Sequence, residues 1–267
     1  MSILNLVRAE YILAYAELMR RKSELVLILL YPYLFTGFVL LLGYSAGSLV
    51  IFEIRIGVSP VIFMATASFI VMSLMIGVDD VLWRPLWDMW IGTLPYLIAS
   101  PVDKFKLFIV MPLPRATLIV LLGFTSLLPL YTLQYGFSGV LLVLLVTTLI
   151  VVGVFTMVPL GVLLSGLLHT VSESWRVLGI VRPVIMILLG AYYPRFYMPL
   201  VARLISYTIP PSHIVESVQR VLLGLVDQWF LVLIVASVFL TILYTPASRT
   251  SLKFWEGKKV SEGVKIS

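Results

Sequence analysis

The 267-residue chain is 61% hydrophobic and 12% charged, with a mean hydropathy of +1.08; soluble domains carry about 25% charged residues, so a water-soluble globule is excluded. The net charge of +6 lies in short clusters beside apolar blocks, which argues for membrane topology rather than a nucleic-acid-binding face. With no cysteine, disulfides, thiolate catalysis and cysteine-ligated metal centres are excluded as well.

Segment 3–20 sets Leu4, Val7, Tyr11, Ala14 and Leu18 on one helical face, with Glu10, Glu17 and Arg20 away from it. This predicts a helix resting on the cytoplasmic membrane surface, although a plain cytoplasmic extension of the first span also fits. Six spans are predicted at 25–43, 60–78, 116–133, 140–164, 177–193 and 228–245, each close to the ~20 residues that cross a ~30 Å hydrocarbon core. Asp79-Asp80 is predicted to end the second span and to open a loop rich in tryptophan, proline and charge that runs to Lys106. Pro112, Pro114 and Arg115 interrupt the approach to the third, leaving the preceding piece at the interface. The fourth apolar stretch is longer than a bilayer needs, so it tilts, kinks near Pro159 or projects beyond the headgroups.

The fifth span carries Arg182, and Pro246 is expected to stop the sixth. Between them, 195–224 mixes Arg203, His213, Glu216 and Arg220 with apolar residues and proline breaks, which suits an external re-entrant helical hairpin. The fold class is therefore an all-α integral membrane protein: one domain of six transmembrane helices, an N-terminal interfacial helix and the hairpin. Fourteen of the nineteen Lys and Arg fall on one side and four on the other. The richer side is the cytoplasm, so both ends are cytoplasmic in a multi-pass plasma-membrane protein. The tail 247–267, with five basic residues, suits anionic lipid.

Two stretches resemble a known family. The loop after the second span, 92–106, overlaps the stretch Trp90-Ile91-Gly92-Thr93-Leu94-Pro95-Tyr96-Leu97-Ile98-Ala99-Ser100-Pro101-Val102-Asp103-Lys104. It is similar to the Gly-Thr-Leu, Ser-Pro-Val signature of type-2 ATP-binding-cassette (ABC) export permeases. The second stretch runs from Gly190 through Tyr192-Tyr193-Pro194, Pro199, Ile209-Pro210-Pro211, Glu216 and Arg220 to Gly224. It resembles that family's ending of span five and its external hairpin.

The resemblance implies that the first loop forms a coupling helix seated on an ATPase subunit, through Gly92, Thr93, Leu94, Tyr96, Leu97, Ser100, Pro101, Asp103 and Lys104. Pro95 departs from the family's pattern and would sit in the helix's first turn. It also implies an outer gate of Tyr192, Tyr193, Pro194, Phe196 and Tyr197, for which an ordinary interfacial aromatic belt is the alternative. No Gly-rich phosphate loop exists in the chain. ATP and magnesium would therefore bind a separate ABC ATPase, and the chain itself would need no cofactor and perform no catalysis. The remaining partners implied are a second permease copy or a related permease, and membrane lipids, with no nucleic acid. The exported substrate would be an amphipathic drug, lipid or lipid-linked glycan.

Other classes rest on single features. Asp79, Asp80 and Asp88 have the residue types of a magnesium-binding cluster, as a membrane-embedded prenyl- or phospho-alcohol transferase would need; otherwise they end the span and dock the loop. An ion-coupled secondary transporter would bring internal repeats and mid-membrane acids, and the sequence has neither. His169 and His213 are predicted on opposite membrane sides, which argues against a shared metal. Arg182, costing roughly 2.5–3.5 kcal/mol if it faced lipid at mid-membrane, either snorkels to headgroups or faces the pathway, where it would contact an anionic headgroup.

Overall fold

A computed structural model describes residues 3–20, 22–45, 49–171 and 173–262, and among these the chain is helical throughout, with no strand. In chain order the helices are α1 (Ile3–Arg20), α2 (Lys22–Ser45), α3 (Leu49–Ile56), α4 (Pro60–Ile91), α5 (Leu94–Ala99), α6 (Lys104–Val110), α7 (Leu113–Tyr135), α8 (Ser138–Leu168) and α9 (Ser174–Leu188). A 3-10 turn (Arg195–Tyr197), α10 (Leu200–Thr208), α11 (Pro210–Leu222) and α12 (Gln228–Glu262) complete the described residues.

Four stretches among the described residues are long and apolar enough to cross a membrane: Pro60–Ile91, Lys104–Tyr135, Ser138–Leu168 and Gln228–Ser261. Their apolar windows range from 83% buried in α4 to 17% in α12, so α4 is the bundle's axis and α12 its rim. Trp229, Val235, Phe239 and Ile242 of α12 and Leu27, Leu34 and Phe38 of α2 are exposed. Apolar surface on that scale needs a lipid solvent.

Helix directions follow from the contacts. Ser165 of α8 donates to Val81 O of α4 at 3.1 Å, and Lys258 of α12 donates to Thr170 O just past α8 at 2.8 Å, so α4, α8 and α12 run the same way. Arg115 at the start of α7 meets Asp80, and Tyr131 near its end meets Thr66, so α7 runs against them. Hydroxyls knit the apolar interior: Thr66 and Tyr131 lie 2.7 Å apart, and Thr36 of α2 donates to Ser68 at 3.0 Å. Most of α11 is buried, against α8 and α12.

Three predicted boundaries move, each for a local reason. Asp79-Asp80 does not end the second span; α4 continues to Ile91 through Pro85. Ion pairs neutralise the acids, and Ser165 Oγ takes up Val81 O, the carbonyl that Pro85, lacking an N–H, leaves unpaired. Pro246 does not stop the sixth span either. Beyond it Ser248 and Ser251 present small side chains to α8, donating to Pro159 O at 2.6 Å and Leu163 O at 2.8 Å, and the helix reaches Glu262. The helix over the fifth span ends at Leu188 rather than 193, because Gly190 turns the backbone at φ +75°. The long fourth stretch is one helix running through Pro159, and α3 is a helix that the sequence patterning did not single out.

Candidate functional site

At the end of the bundle where α4 finishes, the chain builds a braced knob. Gly92 caps α4 in the left-handed region at φ +80°, and its N–H bonds to Met89 O at 3.2 Å. Thr93 then donates to Asp88 Oδ1 at 2.6 Å, tying the turn to the helix it leaves. Pro95 lies in the first turn of α5, where its missing N–H costs nothing. Behind α5, Leu94 packs into a buried cluster with Phe108 and Trp255. Lys104, only 5% exposed, donates to Ser100 O at 2.6 Å and Val102 O at 3.1 Å and lies 3.8 Å from Glu256 of α12. Asp103 caps α6 through Phe105 N at 2.9 Å and faces Arg249 at 3.5 Å.

The front of the knob is bare. Tyr96 is 78% exposed, and Trp87, Trp90 and Ile91 are also exposed, with the two indoles edge-on at 5.3 Å. Of the residues assigned to coupling, Leu94 and Lys104 therefore face inward and brace; Gly92, Leu97, Ser100 and Asp103 are partly covered, and Thr93, Tyr96 and Pro101 lie outermost.

Beside the knob a cleft of ≈ 930 Å³ opens between α1, α4, α7 and α9, lined by Glu10, Glu17, Asp79, Asp80, Asp88, Arg84, Arg115 and Arg182 among others. Each aspartate has its own guanidinium: Arg182 to Asp79 at 2.8 Å, Arg115 to Asp80 at 2.5 Å, Arg84 to Asp88 at 3.0 Å. Arg115 also reaches Glu17 of α1 at 3.4 Å. Arg182 thus stands at the cleft wall as a polar link from α9 to α4, and this ion pair offsets the cost a lone arginine would carry. Burial raises the Glu10 carboxyl above its ordinary range, with Arg84 opposing and Asp88 adding to the rise.

Among the described residues no group of His, Asp or Glu is arranged to hold a metal. His169 sits past α8, with Nε2 2.7 Å from Leu82 O, while His213 lies on α11 beside Tyr207 O. Burial pushes His169 down to about 4, with the Leu82 hydrogen bond opposing it. The unfolded chain, at about 6.5, therefore binds the proton first. Stability should fall as pH drops from 6.5 towards 4 and stay level above that window. His169→Gln, which keeps an N–H for Leu82 O, should flatten that limb in a detergent melting series.

The aromatic segment after α9 lies at the far end of the bundle. Tyr193 and Tyr197 are 6.1 Å apart and Phe196 and Tyr197 5.4 Å, all three exposed, while Tyr192 packs 5.3 Å from Phe35. Pro194 leads into the 3-10 turn. The sequence reading missed Arg195, the most buried arginine here at 4% exposure. It donates to Ser212 Oγ at 2.7 Å, pairs with Glu216 at 3.2 Å and lies over the Tyr207 ring at 4.4 Å. Its only sequence signal was an arginine between aromatics before a polar-faced helix.

These features define an all-helical membrane protein with a braced knob and a charged cleft at one end. No sequence family matches the chain, nor does any curated protein or solved structure.

Proposed function

We propose that the chain is the permease subunit of an ATP-driven exporter of the type-2 ABC kind. The observation that carries this is the knob: a short helix held rigidly from behind by Leu94, Lys104 and Asp103, with Tyr96, Trp90 and Ile91 bare in front. A rigid exposed aromatic patch of this sort is what a partner groove engages. In this reading α2 and α9 join the four long stretches as spans one and five, both termini are cytoplasmic in a plasma membrane, and α10–α11 form the outer hairpin. The working unit holds two permease chains, identical or related, and two ATPase subunits that carry ATP and magnesium. Closure of the ATPases pushes the knob along α4, and the cleft at its base, where α9 meets α4 through one ion pair, opens or closes for an amphipathic substrate.

The absence of native cysteine makes the test clean. Ala99→Cys should react with a membrane-impermeant maleimide in inside-out vesicles and not in intact cells. The tagged chain should carry an ATPase through purification, and Tyr96→Asp should reduce that association about tenfold or more, since truncation of a central interface aromatic costs ~2 kcal/mol or more. Labelling of the Ala99→Cys variant from outside, or substrate turnover by the chain with no nucleotide-hydrolysing companion, rejects the proposal.

A further inference from the structure

The bundle end opposite the knob is poor in basic residues: the sequence places only Arg55, Arg195, Arg203 and Arg220 there. Three of these four line one cavity of ≈ 250 Å³, together with Glu216, Phe63 and Leu225. Phe63 and Asp80 are seventeen residues apart on α4, so this cavity lies about 25 Å from the charged cleft and is a separate site.

The charges do not balance internally. Glu216 serves both Arg195 at 3.2 Å and Arg220 at 3.9 Å, and Asp227 pairs with Arg220 at 3.2 Å. Two carboxylates thus face three guanidiniums. The surplus lies with Arg55, which is exposed near the end of α3 and has no ion-pair partner among the described residues. Glu53, two residues earlier, falls about 200° away around the helix. Arg195 is 4% exposed, and its Nε has no acceptor among the described residues, so a buried donor in the cavity wall is left unsatisfied. Apart from Tyr197 and Gln219, whose amide is engaged with Gly190 O at 2.8 Å, the remaining wall is apolar, and the chain beyond Leu225 carries exposed Val226 and then exposed Trp229 and Val232 at the start of α12.

We propose that this cavity binds the phosphodiester of a monoanionic membrane lipid, with Arg55 and Arg220 on the phosphate oxygens and the acyl chains along the start of α12. One surplus positive charge matches one phosphodiester, and guanidinium is the side chain suited to phosphate oxygens. The adjoining apolar track favours a lipid over free phosphate. The site stands independently of the permease reading, because it requires no ATPase and no transport.

The full chain, purified in detergent, is titrated with short-chain phosphatidylglycerol, with diacylglycerol of the same chains and with inorganic phosphate, and bound lipid is counted by native mass spectrometry. Phosphatidylglycerol should bind at least about tenfold more tightly than diacylglycerol, and Arg55→Gln should remove about tenfold of that preference. Arg55→Lys should restore part of it. Because Arg55 is exposed and has no ion-pair partner among the described residues, its variants should melt with the parent, separating lost binding from lost folding. Equal binding by Arg55→Gln and the parent, no preference over diacylglycerol, or displacement by inorganic phosphate at the lipid's own concentration overturns the proposal.

Discussion

Arg115→Ala should destabilise the protein by roughly 3 kcal/mol, the cost of removing one partner from a buried ion pair. Asp80 has 11% of its side chain exposed, and Arg115 approaches it at 2.5 Å while also reaching Glu17 at 3.4 Å. Among the described residues Asp80 Oδ2 has no hydrogen-bond donor, so Arg115 is the main compensation the carboxylate has. Truncating Arg115 leaves that carboxylate beside Asp79, and it strips α1 of a tie to α7. Truncating the carboxylate instead should cost less: Asp80→Asn leaves Arg115 near Glu17, at a position 32% exposed where water can solvate it. Combining Arg115→Ala with Asp80→Asn should therefore recover part of the single-variant loss. The measurement is a double-variant cycle of melting in detergent. If the two single changes cost the same and simply add, the pair is not what holds the α1–α4–α7 corner.

The same corner shows how far the sequence could be read. Hydropathy alone separates an all-helical membrane protein from a soluble one, and it locates α4, α7, α8 and α12 because each buries or exposes a continuous apolar stretch. It misjudges where those helices end, because Asp79, Asp80 and Pro85 are terminators only when nothing compensates them. Their compensation comes from Arg182, Arg115 and Ser165, each at least thirty-five residues away. No local pattern carries that pairing. The short helix α5 was anticipated through the family resemblance and through Pro95 in its first turn, whereas the left-handed cap at Gly92 and the N-cap at Asp103 are local signals that the sequence reading did not use. The knob's orientation was not legible: Lys104 reads as a surface cation and proves to be a buried brace. The cavity that Arg55 and Arg220 line was hidden for the same reason, since the two lie far apart in sequence and converge only in the packed bundle.

Gly166→Ala should loosen the seam between α8 and α12 and cost about 1–3 kcal/mol, the usual range for overpacking. A Cβ at Gly166 would overlap Ser251 Oγ and stand 2.7 Å from Ser251 C and 2.8 Å from Ser251 O. Two of those atoms are backbone, so relief requires the helices to separate rather than a rotamer to turn. Separation stretches the hydrogen bonds across the seam, Ser248 to Pro159 O at 2.6 Å and Ser251 to Leu163 O at 2.8 Å. Small residues at such crossings let helices approach closely enough for these bonds to form where the hydrophobic effect does not drive association. Gly257→Ala is the matched control: it lies on the same helix α12 with nothing within 4 Å of the added carbon, and it should stabilise by up to about 1 kcal/mol through helix propensity. The seam also carries the knob's brace, because Trp255 and Glu256 extend from α12 behind Leu94 and Lys104. Gly166→Ala should thus raise hydrogen exchange at Leu94–Ala99 as well as lower the melting temperature. A fall in melting temperature with α5 exchange unchanged would show that the knob takes its rigidity from α4 and α6 alone.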